Sequence, residues 1–242
     1  MPNPSSPASP PRLRAIDAVL FDFSGTLLAV EPAEAWLRRA ATPLGLTFEP
    51  DQEAELIERL LWAGRPGGPA PSDLNGTLLD VYAGRDLSPQ AHRAAYTTLM
   101  ARADLPHPRL AEELYDRMFP PEAWVPYPDA APVLAALRER GVKIAVVSNI
   151  AHDLRPTFEH HGLAQWIDAY VFSYEVDAMK PDPKIFRTAC DALGVAPERA
   201  LMVGDTTADA GSVEVGMAAL VLPASPPGAI HGLGAVLALL GG

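Results

Sequence analysis

Apolar residues gather along this chain in five short runs, at 17–22, 143–148, 169–172, 200–204 and 218–222. Each is nearly continuous rather than alternating, the pattern of a strand buried on both faces of a parallel sheet. Between the second and fifth runs, apolar positions recur at helical spacing over 153–161, 183–193 and 208–216. A further helical stretch, 129–140, precedes the second run and stops at Gly141, a residue suited to the left-handed close of a helix. Strands alternating with helices predict an α/β fold with a doubly wound, Rossmann-like parallel sheet.

Residues 31–127 break the alternation. They hold no convincing strand run, and helical periodicity appears at 34–41, 52–62, 90–103 and 110–118, interrupted by a Gly/Pro-rich stretch at 64–71. The expected organisation is a core of 15–30 and 128–242 with an inserted α-helical cap domain of 31–127. The apolar stretch 235–240 predicts a last helix packed on the sheet, and no internal repeat is present. Residues 1–14 are rich in Pro and Ser and lack a signal peptide's apolar centre, so a disordered lead-in is expected.

Composition narrows the function. The chain has 242 residues, 48% hydrophobic, enough for one large core and a modest accessory module. No apolar run approaches the ~20 residues that span a bilayer, so no membrane partner is expected. A net charge of −11 repels nucleic-acid phosphates, which argues against a nucleic-acid partner. It does not exclude a small phosphorylated substrate, because a metal and local dipoles reverse the field inside a cleft. The single cysteine, Cys190, offers neither an intrachain disulfide nor a thiolate metal cage, and it lies on an apolar helix stripe where packing suffices. A cytoplasmic location follows as the plain expectation. The oligomeric state is left as monomer or homodimer.

Ligands of open parallel sheets bind beyond the carboxyl ends of the strands. There the first strand delivers Asp22-Phe23-Ser24-Gly25-Thr26-Leu27, the second Ser148-Asn149, and the fourth Gly204-Asp205 followed by Asp209. Lys180-Pro181-Asp182-Pro183 precedes a helix. Taken singly, these residues read as a helix cap, a turn, a surface charge and solvated acids. Together they converge on one sheet edge. In this order they resemble the four-motif signature of the haloacid dehalogenase-like superfamily, across about residues 17–222. The insertion resembles the helical cap of that superfamily's first cap class.

The resemblance implies a Mg2+-dependent hydrolase of a small phosphorylated metabolite, working through an aspartyl-phosphate. It makes Asp22 the nucleophile, a role in which a carboxylate splits hydrolysis into two easier steps. Lys180 neutralises Asp22 and the transferring group. Asp22, the carbonyl of Ser24 and Asp205 bind Mg2+, which favours oxygen ligands, and Asp209 steadies them. Ser148 and the amides near Asn149 hold phosphate oxygens. Gly25 and Thr26 turn the chain at the substrate and position Asp22. Arg65, beside the Gly/Pro-rich loop, is a candidate for contact with an anionic substrate, and Trp62 and Trp124 are candidates for ring stacking, against solvation and core packing respectively. His160-His161 point in different directions on a helix and are read as surface residues.

One departure matters. Phosphatases of the superfamily carry a second Asp two residues after the nucleophile, to protonate the leaving group and then activate water. Here Ser24 stands there, and losing such a group slows reaction by about 10²- to 10⁴-fold. Good leaving groups, a proton from the substrate or the cap, or a different reaction would each accommodate it. Dehalogenases of the superfamily also lack the second Asp, but they have Ser-Asn where this chain has Gly204-Asp205. Phosphonate-cleaving relatives need a cap lysine, and the only lysines are Lys143, Lys180 and Lys184, all outside the insertion. A degenerate, non-catalytic binding protein is the remaining alternative.

Overall fold

The structure, a computed structural model, describes residues 15–68 and 71–241; the lead-in 1–14 lies outside the described residues. The five apolar runs form strands of a single parallel sheet. β1 (Ala18–Phe21) is its centre. A short strand, β2 (Leu28–Val30), pairs antiparallel with β3 (Trp124–Pro126). β4 (Lys143–Ser148), β5 (Ala169–Phe172), β6 (Ala200–Gly204) and β7 (Ala218–Val221) complete the sheet in the order β5-β4-β1-β6-β7. Phe21 lies level with Val146 on one side and Val203 on the other. The order grows outward from β1 first one way and then the other, so the loops leaving β1, β4 and β6 open a crevice at their carboxyl ends.

Period-two alternation distributes each strand's side chains to the two faces. Val19, Phe21, Ile144, Val146, Leu201 and Val203 enter the larger core, while Ala18, Leu20, Ala145, Val147 and Met202 enter the smaller. The insertion contributes α1 (Ala33–Ala41), α2 (Pro50–Ala63), α3 (Gly76–Ala83), α4 (Pro89–Ala101) and α5 (Leu110–Asp116). After β3 come α6 (Ala130–Glu139), α7 (Arg155–His160), α8 (Ser173–Val176), α9 (Pro183–Leu193), α10 (Thr207–Ala210) and α11 (Gly234–Leu239). α6 and α11 join the larger core, and α9 packs Ile185, Phe186, Ala189 and Cys190 into the smaller one. Cys190 is thus a buried packing residue.

Local chemistry sets the ends. Asp182 caps α9 by accepting the Lys184 amide, Pro183 opens the helix, and Gly194 closes it in the left-handed region. Glu49 and Gln52 form a capping box on α2, and Ser88 caps α4. Two expectations are corrected. The stretch 31–127 does contain a strand, β3, and its three residues are too few to show a period. The helical pattern over 208–216 divides into α10 and a 3-10 segment, Gly211–Val215. Among the described residues no helix is long and apolar enough to cross a membrane.

Candidate active site

Asp22 follows β1 directly, and its amide continues the ladder by donating to the Val203 carbonyl at 2.9 Å. The chain then turns sharply. The Leu27 and Leu28 amides both donate to Phe23 O, and the Gly25 amide donates to Leu28 O at 2.8 Å. Gly25 has φ +80°, and a Cβ there would stand 2.3 Å from Asp205 Oδ2. Glycine therefore lets the loop after β1 press against the carboxylate delivered by β6.

Lys180 lies between two acids. Its Nζ donates to Asp22 Oδ1 and to Asp209 Oδ1, each at 2.6 Å. Its backbone is held by one side chain: Asn149 Nδ2 donates to Lys180 O at 2.9 Å, and Asn149 Oδ1 accepts the Lys180 amide at 2.6 Å. Asp209 Oδ2 accepts from the Thr206 amide and hydroxyl at 3.0 and 2.8 Å, closing a capping box on α10. Gly204 makes room for it, since a Cβ there would overlap Asp209 Cγ at 2.0 Å. Carboxylate oxygens of Asp22, Asp205 and Asp209 all fall within 4.8 Å of one another.

Three carboxylates around one ammonium leave local negative charge in excess. Burial pushes Asp22 up to about 7, with Asp209 and Asp205 adding to the rise and Lys180 opposing it. Burial and the neighbouring Asp209 likewise push Asp205 up to about 6. Asp209 goes the other way: burial resists, but Lys180 and Thr206 hold its carboxyl below the ordinary range. Lys180 stays protonated, because its two acid partners outweigh burial. Both oxygens of Asp209 are engaged, whereas Asp22 has one oxygen on Lys180 and Asp205 has no ion pair among the described residues, and both line the crevice. That donor set, hard oxygens with unbalanced charge, fits a divalent cation such as Mg2+.

A cavity of about 520 Å³ opens above these groups and is lined by Asp22, Ser24, Gly25, Ser148, Asn149, Lys180 and Asp205. Ser148 is 2% exposed. Asp209 sits behind Lys180 as its anchor.

Three expectations fail. Arg65 does not reach the cavity; it is buried, donates to the Glu31 carbonyl at 3.0 Å and stacks 4.5 Å over Trp36. Its neighbours Pro66, Gly67 and Gly68 line the cavity instead. Thr26 is fully buried in the turn and does not line the cavity either. Trp62 is exposed under Arg102, away from the site. Trp124 packs 4.5 Å from the Phe23 ring, donates to Met118 O, and is among the residues that line the cavity. The rings of His160 and His161 stand at 89° to each other. Sequence reasoning also missed Tyr82, Arg85, Asp86, His92 and Tyr96, cavity-lining residues of the insertion. Arg85-Asp86 reads as an ordinary surface pair, and helical periodicity could place only His92 and Tyr96 on a buried face.

A sequence profile of the haloacid dehalogenase-like hydrolase family matches residues 16–214. The phosphoserine phosphatase of Thermus thermophilus is 43% identical over 100 residues, 40% of this chain and 40% of that protein. The (S)-2-haloacid dehalogenase 1 of a Pseudomonas species is 34% identical over 86 residues, 35% of this chain and 38% of that protein. The chain thus spans well under two thirds of the length of these curated relatives. A solved structure, a HAD phosphatase from Thermococcus onnurineus, superposes with a TM-score of 0.58 at 28% identity, covering 94% of this chain and 99% of that one.

Proposed function

Because the chain belongs to the haloacid dehalogenase-like hydrolase family, we propose that it is a phosphatase of a small phosphorylated metabolite, with Asp22 as nucleophile. The observation that carries the reading is the buried chain Asp22–Lys180–Asp209 with Asp205 alongside, open to one cavity. A carboxylate that both attacks and stays ionised needs a permanent cation beside it, and Lys180 supplies one at 2.6 Å.

In the first step Asp22 Oδ2 forms a bond to phosphorus, the bond from phosphorus to the leaving oxygen breaks, and an aspartyl-phosphate results. In the second, water attacks that phosphorus and Asp22 is released. The Ser148 hydroxyl and the amides of the loop it begins hold the equatorial oxygens, where charge collects. Lys180 offsets the charge of Asp22 in the resting site and of the phosphoryl group afterwards. Asp22, the Ser24 carbonyl and Asp205 would hold Mg2+, which supplies further charge neutralisation when bound. Asp209 and Asn149 fix Lys180 from its two ends, which keeps the ammonium positioned before substrate arrives. The helical insertion acts as a cap that excludes water and selects substrate.

Release of phosphate from an aryl phosphate tests this. Turnover is expected with Mg2+, and it should stop on chelation and in Asp22→Asn. Full activity in Asp22→Asn would remove the nucleophile from the account. Ser24 favours a second reading, haloacid dehalogenation, since halide departs without a proton. Against it, Asp205 beside Asp22 repels a haloacid's carboxylate. Halide release that survives chelation would select that reading.

A further inference from the structure

Ser24 gives the leaving oxygen no proton, yet the insertion contributes a carboxyl to the lining of the same cavity. Asp86 lies in the 3-10 turn Arg85–Leu87 of the insertion, is 3% exposed, and lines the cavity with Asp22 and Lys180. Its main-chain oxygen accepts a 2.6 Å bond from Ser173 Oγ. That same Oγ receives the Ile150 amide at 3.0 Å, so Asp86 is fastened to the loop that begins at Ser148. Its carboxyl is framed on both sides: Oδ2 lies 3.1 Å from Arg85 Nη2, and Oδ1 lies 3.5 Å from His92 Nε2. Behind it, His92 Nδ1 sits 2.9 Å from the Tyr115 hydroxyl. Arg85 is itself locked, stacked 3.8 Å over Tyr82 and bonded to Tyr82 O and Tyr96 OH.

We propose that Asp86, contributed by the helical insertion, is the general acid and base of the phosphoryl transfer, in the role Ser24 cannot fill. The proposal rests on the phosphatase reading. As Asp22 bonds to phosphorus and the phosphorus–oxygen bond to the leaving group breaks, the proton on the Asp86 carboxyl passes to the departing oxygen. The resulting Asp86 carboxylate then takes a proton from the water that attacks the aspartyl-phosphate, freeing Asp22 and restoring the carboxyl. No outside reagent is needed.

The surroundings suit this cycle. Burial pushes Asp86 up to about 6, against the pull of Arg85 and Lys180, so both of its forms are accessible near neutrality. Burial pushes His92 down to about 3, so it remains a neutral orienting group rather than a second positive charge on the carboxyl. Nδ1 of the neutral ring is engaged with the Tyr115 hydroxyl, and Nε2 is the nitrogen that faces Asp86.

The test compares phenyl phosphate with 4-nitrophenyl phosphate, whose leaving group needs no proton, using the full chain with Mg2+. In Asp86→Asn, kcat/KM on phenyl phosphate should fall by about 10²- to 10⁴-fold, with less than about tenfold loss on the nitrophenyl ester. Adding Ser24→Asp to Asp86→Asn should recover phenyl phosphate hydrolysis, which a merely structural lesion would not permit. Equal loss on both esters, no loss on either, or no recovery in the double variant would overturn the proposal. If the unaltered protein releases phosphate from neither ester, the phosphatase reading itself falls, a result distinct from any behaviour of the variants.

Discussion

Lys180 is the cation that Asp22 and Asp209 share, which makes it the most informative side chain to remove. In Lys180→Met, Asp22 and Asp209 would face each other with no cation between them. Breaking a buried ion pair on one side destabilises by about 3–5 kcal/mol. Here uptake of a proton by one acid relieves part of that, so the lower end is expected. Urea unfolding should show it, and phosphate release should fall at least about 10²-fold, as for loss of a preorganised charge. Unaltered stability would mean that the 2.6 Å contacts carry little. Residues of this kind were legible in the sequence because each sits at a strand's carboxyl end or a helix start, where position is fixed by topology. Arg65 was not, because nothing in its neighbours announces that Trp36 and the Glu31 carbonyl will hold its guanidinium. Asp86 was not, because its significance arises only when the insertion folds over the core.

Elements bring those residues within reach, and the turn after β1 does so most tightly. Gly25→Ala combines a left-handed φ of +80° with a Cβ 2.3 Å from Asp205 Oδ2. The backbone strain alone is of order 1–3 kcal/mol, and relief of the overlap must move Asp205 away from Asp22. The expected signature is a raised Mg2+ concentration for half-maximal activity, together with a lower kcat; an unchanged Mg2+ titration would show that the loop yields without disturbing Asp205. The central strands of the main sheet, β1, β4 and β6, were readable because they are buried almost throughout and need continuous apolar runs, and the edge strands β5 and β7, though only partly buried, carry short apolar runs of the same kind. The pair β2–β3 was not, since three residues show no period and the two partners are separated by all the helices of the insertion. α3 was missed for another reason: of its eight residues only Tyr82 is buried, so no apolar stripe marks it.

At the scale of the whole molecule, buried ionisable groups tie stability to pH and to metal. His92 is held neutral by burial, its pKa pushed from 6.5 down to about 3. Below pH 6.5 the unfolded chain binds a proton there that the folded one refuses, so this contribution is complete above 6.5 and lost as pH falls towards 3. Between pH 6.5 and 5 the loss is about 2 kcal/mol. His92→Gln should flatten the decline of the urea midpoint over that range, and parallel declines would assign the acid sensitivity elsewhere. The acid cluster makes the complementary case. Asp22, Asp205 and Asp209 surround one lysine in a protein that already carries a net charge of −11, so the cation-free fold holds repulsion at its own site. A cation that binds only the folded state stabilises it by about 2.7 kcal/mol at a hundred times its dissociation constant. For a domain of this size that is a rise in Tm of roughly 5–10 °C. Asp205→Asn keeps the shape and deletes one negative charge. It should therefore melt higher than the unaltered protein without Mg2+ and gain nothing from adding it, crossing below the unaltered protein once the ion is present. Calorimetry of both proteins with and without Mg2+ decides the matter, because a carboxylate kept for packing alone would leave the two melting curves shifting in parallel.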